Sequence, residues 1–593
     1  MSPSDSAADR APGAGPRALL AVAAVAVAFA AADTYVVVMA LPDMMTGAGL
    51  SIEELQRAAP IVSGFLLGYT AILPLIGRIA DLRGRTPVLV GSLVVFAIGS
   101  IVTAAAYDLN SMVAGRLIQG IGGGGLVPAT LALVADLWPA ERRGMPLGVV
   151  GAVQELGSVL GPLYGALVLA FADWRTIFWL NMAVGLVLCA AVLALRTAAP
   201  TREVGRRGMP DVVGITLAVV ALACMTLVML RPEELITDIR YGPAFFSVVG
   251  ESPWGTRIAF VLYAVVAAFV AWEFFARRPV VGWRTWGAIA RETDVWGAAL
   301  LALALGGVII TFAAADPERT AISDDAWWLL PLSALCAVLF GWRQRRARHP
   351  LVPGETVAAT AAWGAIVVSF FTGAALIAAL VDIPFFARLT SYQDSQLDAA
   401  LVLLRFLVAL PVGALLGGWL TRRVNAGILT LVAMVAAAAA FGWMSAWGRE
   451  SLEHWSATVP LVLAGLGFGV AIAPVNAALL ASTRAGVHGV ASALLVVARM
   501  VGMLVGISAL TAIGLRRFYA VSDDIPPPSE LCPTGRLECD AYDDRLVDAG
   551  LAQLDAVFLG AAVCAVVAGV VAAFAFRTAA TRAVPVAEAL RSP

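Results

Sequence analysis

Gly77-Arg78-Ile79-Ala80-Asp81-Leu82-Arg83-Gly84-Arg85-Thr86-Pro87 stands between two long apolar runs, at about 57–79 and 87–106. A link this short joins two membrane-spanning helices only if they are antiparallel neighbours. Its three Arg hold it on the cytoplasmic face, where the basic residues of short loops accumulate. The same residues have a conformational use. Gly77 permits close approach of helices, Asp81 can pair with an Arg or sit at a helix N-terminus, and Gly84-Arg85 closes the turn. The stretch therefore reads as a latch that holds one packing of two helix bundles; the plainer alternative is an ordinary basic loop.

The surrounding composition fits a polytopic membrane protein. Of 593 residues, 60% are hydrophobic and 14% charged, and the mean hydropathy is +0.86, values outside those of a soluble domain. All 40 basic residues are Arg, and the net charge of -1 supplies no basic face for a nucleic acid. Cys189, Cys224, Cys336 and Cys564 lie in apolar runs and read as packing residues. Cys532 and Cys539 share a polar segment, where they form either a disulfide or two free thiols.

Taken in order, residues 1–16 read as a polar, disordered cytoplasmic tail. The run at about 17–42 is too long for a signal-peptide core and lacks a cleavage site, so it opens the first helix. With spans at about 57–79, 87–106, 111–135, 146–170 and 176–196, it forms a six-helix unit over 17–197. A linker over 198–356 holds two hairpins, about 211–230 with 257–276 and about 294–314 with 326–342. They read as a duplication, with chance likeness as the alternative. Asp211-Val-Val-Gly214 and Asp294-Val-Trp-Gly297 each open an apolar helix, and Arg277-Arg278 and Arg345-Arg346 close the pairs. Spans at about 358–389, 395–421, 425–447, 459–481, 488–518 and 551–576 complete a second unit over 357–593. The fold class is thus all-α, with about sixteen spans. The segment at 488–518 exceeds the bilayer core and projects outside, ahead of an extracytoplasmic loop over 519–550 that holds both polar-segment cysteines. The Arg distribution, heavier on the inner links, places both termini in the cytoplasm.

The two six-helix units look related by a parallel repeat. Gly144 to Gly161 aligns with Gly489 to Gly506, and Gly120, Gly122 and Gly124 meet Gly465, Gly467 and Gly469, all at an offset of 345. Halves built this way place a substrate path between them near the bilayer midplane. The second copy of the turn, from Leu410-Pro411 to Arg422-Arg423, keeps glycines and Arg but lacks the Asp. Any latch is therefore stronger in the first half.

The G-x-x-x-D-x-x-G-R spacing of Gly77, Asp81, Gly84 and Arg85 resembles the signature of the major facilitator superfamily between its second and third helices. This implies two six-helix bundles, here with extra linker helices. Ionisable groups within spans are costly and need a partner or a function. Asp33-Thr34-Tyr-Val-Val-Val-Met-Ala40-Leu41-Pro42 resembles the first-helix motif of the fourteen-helix drug:proton antiporter branch. Arg116-Leu-Ile-Gln119-Gly120 resembles the fourth-helix motif, where the family places an Arg important for proton coupling. Asp33 and Arg116 lie at overlapping depths. Burial favours the protonated carboxyl and a nearby Arg the ionised one, so a moving Arg can switch protonation near neutral pH. A static structural pair is the alternative. Gly157-Ser-Val-Leu-Gly161-Pro162-Leu-Tyr-Gly165 resembles the exporter-associated motif, which favours export. Glu155, beside it, and Arg499 stand one residue apart in the repeat alignment and are expected to face each other across the central path. Asp382 with Arg405 is a further candidate charge pair, structural or functional.

Gly120-Ile-Gly122-Gly-Gly-Gly125 matches a nucleotide-binding G-x-G-x-x-G formally, but no strand precedes it, and small residues within an apolar helix serve packing. His349, His454 and His488 are scattered, so no metal site is expected, and no Walker motif suggests ATP. Longer likeness runs to the triacylglycerol exporters of this branch found in mycobacteria. It is carried by Gln154 to Gly165, Asp173-Trp-Arg175, His488-Gly-Val-Ala-Ser-Ala and Val497 to Leu504. It implies a bacterial inner-membrane exporter driven by the proton gradient, without a cofactor and not an enzyme. The implied partners are a lipophilic substrate, membrane lipids and an extracytoplasmic lipid-binding lipoprotein, with a monomer favoured. Multidrug efflux, and a non-transporting scaffold or sensor, are the alternatives. The linker departs from that pattern, with two hairpins in place of one.

Overall fold

The computed structural model describes residues 14–49, 55–139, 142–198, 211–250, 252–276, 293–313, 325–392, 396–526, 540–577 and 579. Among these residues there are sixteen helices of 19 residues or more. The first bundle holds α1 (Ala14–Gly47), α2 (Leu55–Arg83), α3 (Arg85–Ala104), α4 (Leu109–Leu137), α5 (Gly144–Leu169) and α6 (Trp174–Ala198). The linker holds α7 (Val212–Leu230), α8 (Arg257–Phe275), α9 (Val295–Ala313) and α10 (Ala326–Arg346). The second bundle holds α11 (Thr360–Leu389), α12 (Gln396–Leu420), α13 (Ala426–Met444), α14 (Thr458–Ala481), α15 (His488–Ser522) and α16 (Asp540–Ala575). Fourteen helices carry an apolar stretch long enough to cross a membrane, and α9 carries a shorter one over Val295–Thr311. The only bridge pairing among the described residues is an isolated one, Ser247 with Thr256.

Local chemistry starts and stops these helices. Asp108 caps α4 by accepting from the Ser111 amide at 2.9 Å, while the Ser111 hydroxyl accepts from the Asp108 amide at 3.2 Å. Asn425 caps α13 in the same spirit, accepting from the Gly427 amide at 2.8 Å. Between α2 and α3 a single residue makes the turn. Gly84 sits at φ 91° and ψ 160°, a region open almost only to glycine, where a side chain costs on the order of 1–3 kcal/mol.

Glycine then sets how the helices pack. Gly120 and Gly124 of α4 leave no room for a Cβ against the backbone of α2 at Phe65 and Tyr69, and Gly122 does the same against α3 at Phe96. In the second bundle Gly465 and Gly469 of α14 meet α12 at Phe406 and Leu410, and Gly467 meets α13 at Ala433. The two glycine ladders thus do the same work at equivalent places. Likewise Gly157 and Gly161 of α5 press on α1 at Ala28 and Ala32, as Gly502 and Gly506 of α15 press on α11 at Phe370 and Ala374. Backbone contact of this kind gives close van der Waals packing, which is the main source of helix association where lipid competes for apolar surfaces.

The linker hairpins share a staple. Asp211 receives both the Gly214 amide of its own helix and the Trp272 indole N–H, at 3.0 Å each to Oδ1. Asp294 receives the Gly297 amide at 2.9 Å and Arg343 Nε at 2.6 Å. Trp272 and Arg343 each accept, through the backbone carbonyl, from the first residue after α8 and α10. The first hairpin touches the α3 end of the first bundle through Val102, Ala105 and Met229, and through Trp254 Nε1 donating to the Tyr107 hydroxyl at 2.9 Å. The second lies against both α2 and α15, with α9 packed on each.

One expectation needs correction. Residues 519–550 are not simply a loop, because α15 continues to Ser522 and α16 begins at Asp540. The apolar pattern starts only near 551, so the polar first turns of α16 escape a hydropathy reading. Asp544 and Asp548 lie one turn apart on one face and both hold Arg449, with Nη2 2.8 Å from Asp548. Cys532 and Cys539, Arg277-Arg278 and the tail over 1–13 lie outside the described residues.

Candidate functional site

The turn between α2 and α3 packs against the start of α15 at one end of the molecule. Asp81, at the end of α2, accepts from the Gly489 and Val490 amides at the start of α15, at 2.8 and 3.1 Å. It also lies 3.0 Å from Arg85 Nη1. Both roles open to it in the sequence are therefore filled at once: an ion pair and a helix N-terminus whose free amides and dipole favour a negative charge. Arg85 in turn reaches the Ala80 carbonyl at 2.6 Å and Asp136 at 3.2 Å. Gly77 makes the approach possible, since a Cβ there would lie 2.5 Å from the Gly489 carbonyl oxygen. On the opposite flank Gly148 of α5 approaches α12, where a Cβ would lie 2.6 Å from the Ala414 carbonyl oxygen. Arg143 ties across as well, donating to the Leu480 carbonyl at 3.3 Å. These cross-bundle contacts lie at the end of the helices that carries the turn.

Deeper in the first bundle, Asp33 of α1 and Arg116 of α4 meet at 2.7 Å, with side chains fully shielded from solvent. The pair belongs to a larger cluster. Arg116 Nη1 also donates to Gln119 Oε1 at 2.7 Å, and Gln119 Nε2 donates to Asp33 Oδ1 and to Ser100 Oγ, each at 3.0 Å. Asn181 of α6 donates its amide to Asp33 Oδ1. The guanidinium lies 4.4 Å from the centre of the Phe65 ring, a cation–π contact that partly replaces water around a buried charge. Arg116 Nη2 and Asn181 Oδ1 have no hydrogen-bond partner among the described residues. Ser100 and Asn181 were not among the sequence candidates. The signal for Asn181 was a lone amide in the apolar run at 176–196; Ser100, a hydroxyl that any helix can bond back to its own carbonyl, offered none.

Between the bundles lies a cavity of about 240 Å³. Its walls come from α1, α2, α4 and α5 on one side and α11 and α15 on the other, and are mostly Val, Leu, Ile, Phe and Met. Its charged wall groups are Glu155 and Arg499, which face each other across it at 3.4 Å, each largely buried. The structure thus brings these two residues together. Gly157 and Gly161 seat α5 on α1 beside this pair, and Pro162 and Gly165 continue α5 without interrupting it.

The third candidate pair does not form. Arg405 of α12 turns to the start of α14 and donates to Thr458 Oγ1 at 2.9 Å. Asp382 has no hydrogen bond or ion pair among the described residues. Equal distance from the connection between α11 and α12 matched the two in depth but not in direction around their helices. No group of three or more His, Cys, Asp or Glu among the described residues is placed to hold a metal ion.

Residues 23–507 match the Major Facilitator Superfamily. A triacylglyceride transporter of Mycobacteroides abscessus is 35% identical over 521 residues, covering 86% of this chain and 84% of that protein. One from Mycobacterium tuberculosis is 34% identical over 538 residues, covering 87% of each. Among solved structures, the human organic anion transporter MFSD10 superposes with a TM-score of 0.53 at 15% identity, covering 94% of this chain and 99% of that one; at that identity the likeness concerns the fold alone. A multi-pass helical membrane protein with two glycine-packed bundles, a charged turn joining α2 to α3 and an apolar cavity between the bundles is a transporter and not an enzyme, and the chain belongs to the major facilitator superfamily.

Proposed function

We propose that this protein is a proton-coupled antiporter of the bacterial plasma membrane that exports a lipophilic molecule, a triacylglycerol before a drug, with both termini in the cytoplasm. The observation that carries this reading is the apolar cavity shared by both bundles and crossed by one charge pair, Glu155 with Arg499. Apolar walls suit acyl chains, which need burial and little else. The names of the relatives, triacylglyceride transporters, point the same way. On this reading the carrier acts with an extracytoplasmic lipid-binding lipoprotein that receives the exported lipid.

Proton coupling would run from Asp33 to the cavity through α1 and α5. Asp33 adjoins Ala32, on which Gly161 is seated, and Gly157 rests on Ala28 two residues beyond Glu155. A proton on Asp33 cancels its attraction for Arg116, and the contact between α1 and α5 passes any displacement to Glu155. Breaking a buried pair by removing one charge costs about 3–5 kcal/mol, enough to drive such a change.

The test uses purified protein in liposomes with an imposed pH gradient, following a labelled triacylglycerol and a lipophilic cationic dye for wild type and Asp33→Asn. Gradient-driven lipid movement that Asp33→Asn abolishes is the expected result. Dye movement alone returns the protein to multidrug efflux, a reading that Glu155 in the cavity wall, an anion suited to lipophilic cations, keeps in play. Movement of neither, or lipid movement indifferent to the gradient, overturns the proposal.

A further inference from the structure

Arg499 borders two spaces. One is the central cavity, where it faces Glu155. The other is a chamber of about 30 Å³ inside the second bundle, walled by Ser369 and Thr372 of α11, Val475 and Asn476 of α14, and Leu495 of α15. A water molecule needs roughly 10–15 Å³ of such space, so the chamber exceeds what one water occupies.

The chamber has the chemistry of an acceptor. Ser369 gives its hydroxyl proton to the Leu495 carbonyl at 2.9 Å, and Thr372 gives its own to the Val368 carbonyl at 2.7 Å. Asn476 directs Nδ2 to the Ile472 carbonyl at 2.8 Å. What these side chains retain is oxygen lone pairs. Asn476 is 5% exposed, and its Oδ1 accepts no hydrogen bond among the described residues. No carboxylate borders the chamber, and Arg499 is the cation in its wall.

Depth adds a direction. Glu155 lies 11 residues into α5 from Gly144, and Arg499 lies 11 residues into α15 from His488, about 16 Å from the latch end at a helical rise of 1.5 Å per residue. Asn476 lies 5 residues from the end of α14 at Ala481, about 8 Å from that end. The Asn476 side of the chamber is therefore nearer the latch end than the charge pair is. The pair itself is loose: 3.4 Å exceeds the roughly 2.7–2.9 Å of a strong charge-assisted bond.

Resting on the reading of Glu155 and Arg499 as a pair that parts during transport, we propose that this chamber is the second seat of the Arg499 guanidinium. When the displacement passed on from Asp33 lets Glu155 take up a proton from the central cavity that it lines, Arg499 turns away and bonds to Asn476 Oδ1 and to the hydroxyl oxygens of Ser369 and Thr372. A guanidinium does not deprotonate, and a buried cation needs acceptors in every state it occupies. The chamber supplies them, and the move clears the cavity of its one charge pair while carrying positive charge toward the latch end.

The experiment is a cryo-electron-microscopy structure of full-length Glu155→Gln in lipid nanodiscs, with gradient-driven lipid uptake measured on the same protein. The guanidinium is expected within about 3.2 Å of Asn476 Oδ1. If uptake is impaired and Arg499 still faces residue 155 or turns into the cavity, the second seat is wrong while the parting pair survives. If uptake is unimpaired, the parting pair itself fails. Two further variants separate seating from folding. Asn476→Leu should lower turnover roughly tenfold with thermal stability retained, the loss expected for about 1.4 kcal/mol of missing hydrogen bonding to a charge, and Asn476→Ser should recover part of it. Equal turnover in Asn476→Leu and wild type, or no recovery in Asn476→Ser, overturns the proposal.

Discussion

Removing the carboxylate of Asp81 should loosen the latch by an amount its contacts fix. Asp81 accepts two amides from the first turn of α15 and one Arg85 nitrogen. Losing an N-terminal cap costs about 0.5–2 kcal/mol, and losing a charge beside a helix N-terminus costs about 0.3–1 kcal/mol. Asp81→Ala thus weakens closure by about 1–3 kcal/mol, roughly a 5- to 150-fold change in the balance between closed and open latch at 1.4 kcal/mol per tenfold. Asp81→Asn keeps an acceptor and loses only the charge, so its effect should stay near the lower limit. The assay is a distance distribution between spin labels on Leu82→Cys and Arg422→Cys, one on each bundle and both exposed, in a background with the six native cysteines replaced. Wild type should give one short distance; Asp81→Ala should add a longer population, and Asp81→Asn a smaller one. A single short distance in Asp81→Ala would show that glycine packing holds the latch without the charge, refuting the argument.

Three further outcomes follow from particular contacts. Gly84→Ala forces a side chain into the φ 91° turn and should lower stability by about 1–3 kcal/mol, seen as a lower unfolding temperature in detergent; an unchanged temperature would mean that the turn relaxes. Asn181→Leu takes a donor from Asp33 inside a closed cluster. At about 1.5–3 kcal/mol for a hydrogen bond to a charge, gradient-driven uptake should fall at least tenfold, and unchanged uptake would leave Asn181 a packing residue. Arg449→Ala frees the polar start of α16. Because the Arg449 side chain is 37% exposed, its pairs contribute only about 1 kcal/mol. Amide exchange over 540–548 should therefore speed up about 5-fold while the apolar part of α16 stays protected, and equal exchange in both proteins would show that the clamp holds nothing.

The candidate site was legible wherever it holds a residue that the membrane resists. Asp33, Arg116, Glu155 and Arg499 stand out because a charge in an apolar span has few innocent explanations, and the repeat at offset 345 set Glu155 against Arg499 before any geometry was known. The latch was legible for a different reason: a one-residue turn with φ 91° needs glycine, and the charge pattern around it has one cytoplasmic solution. Ser100 and Asn181 were hard to find because small polar side chains cost little in a helix and are common there. The failed pair of Asp382 with Arg405 shows what counting residues along a helix delivers. It fixes depth, whereas facing is set by an angle of 100° per residue that the packing of α12 against α14 decides. The start of α16 was hidden for the opposite reason, since a helix held by Arg449 outside the apolar layer needs no hydrophobic pattern.

The asymmetry between the halves is itself informative. Both bundles are made rigid in the same way, by glycine ladders on α4 and α14 and glycine pairs on α5 and α15, so each should move as a body. The buried charge cluster and the aspartate of the turn, however, belong to the first bundle alone, and the second answers with the Gly489 and Val490 amides at the start of α15, which Asp81 accepts, and with Arg499 along the same helix. One helix of the second bundle therefore meets both Asp81 and Glu155 of the first. Whatever shifts α15 along its axis strains Asp81 at its end and Glu155 near its middle together, and that is the simplest physical means of linking the opening of the latch to the state of the cavity.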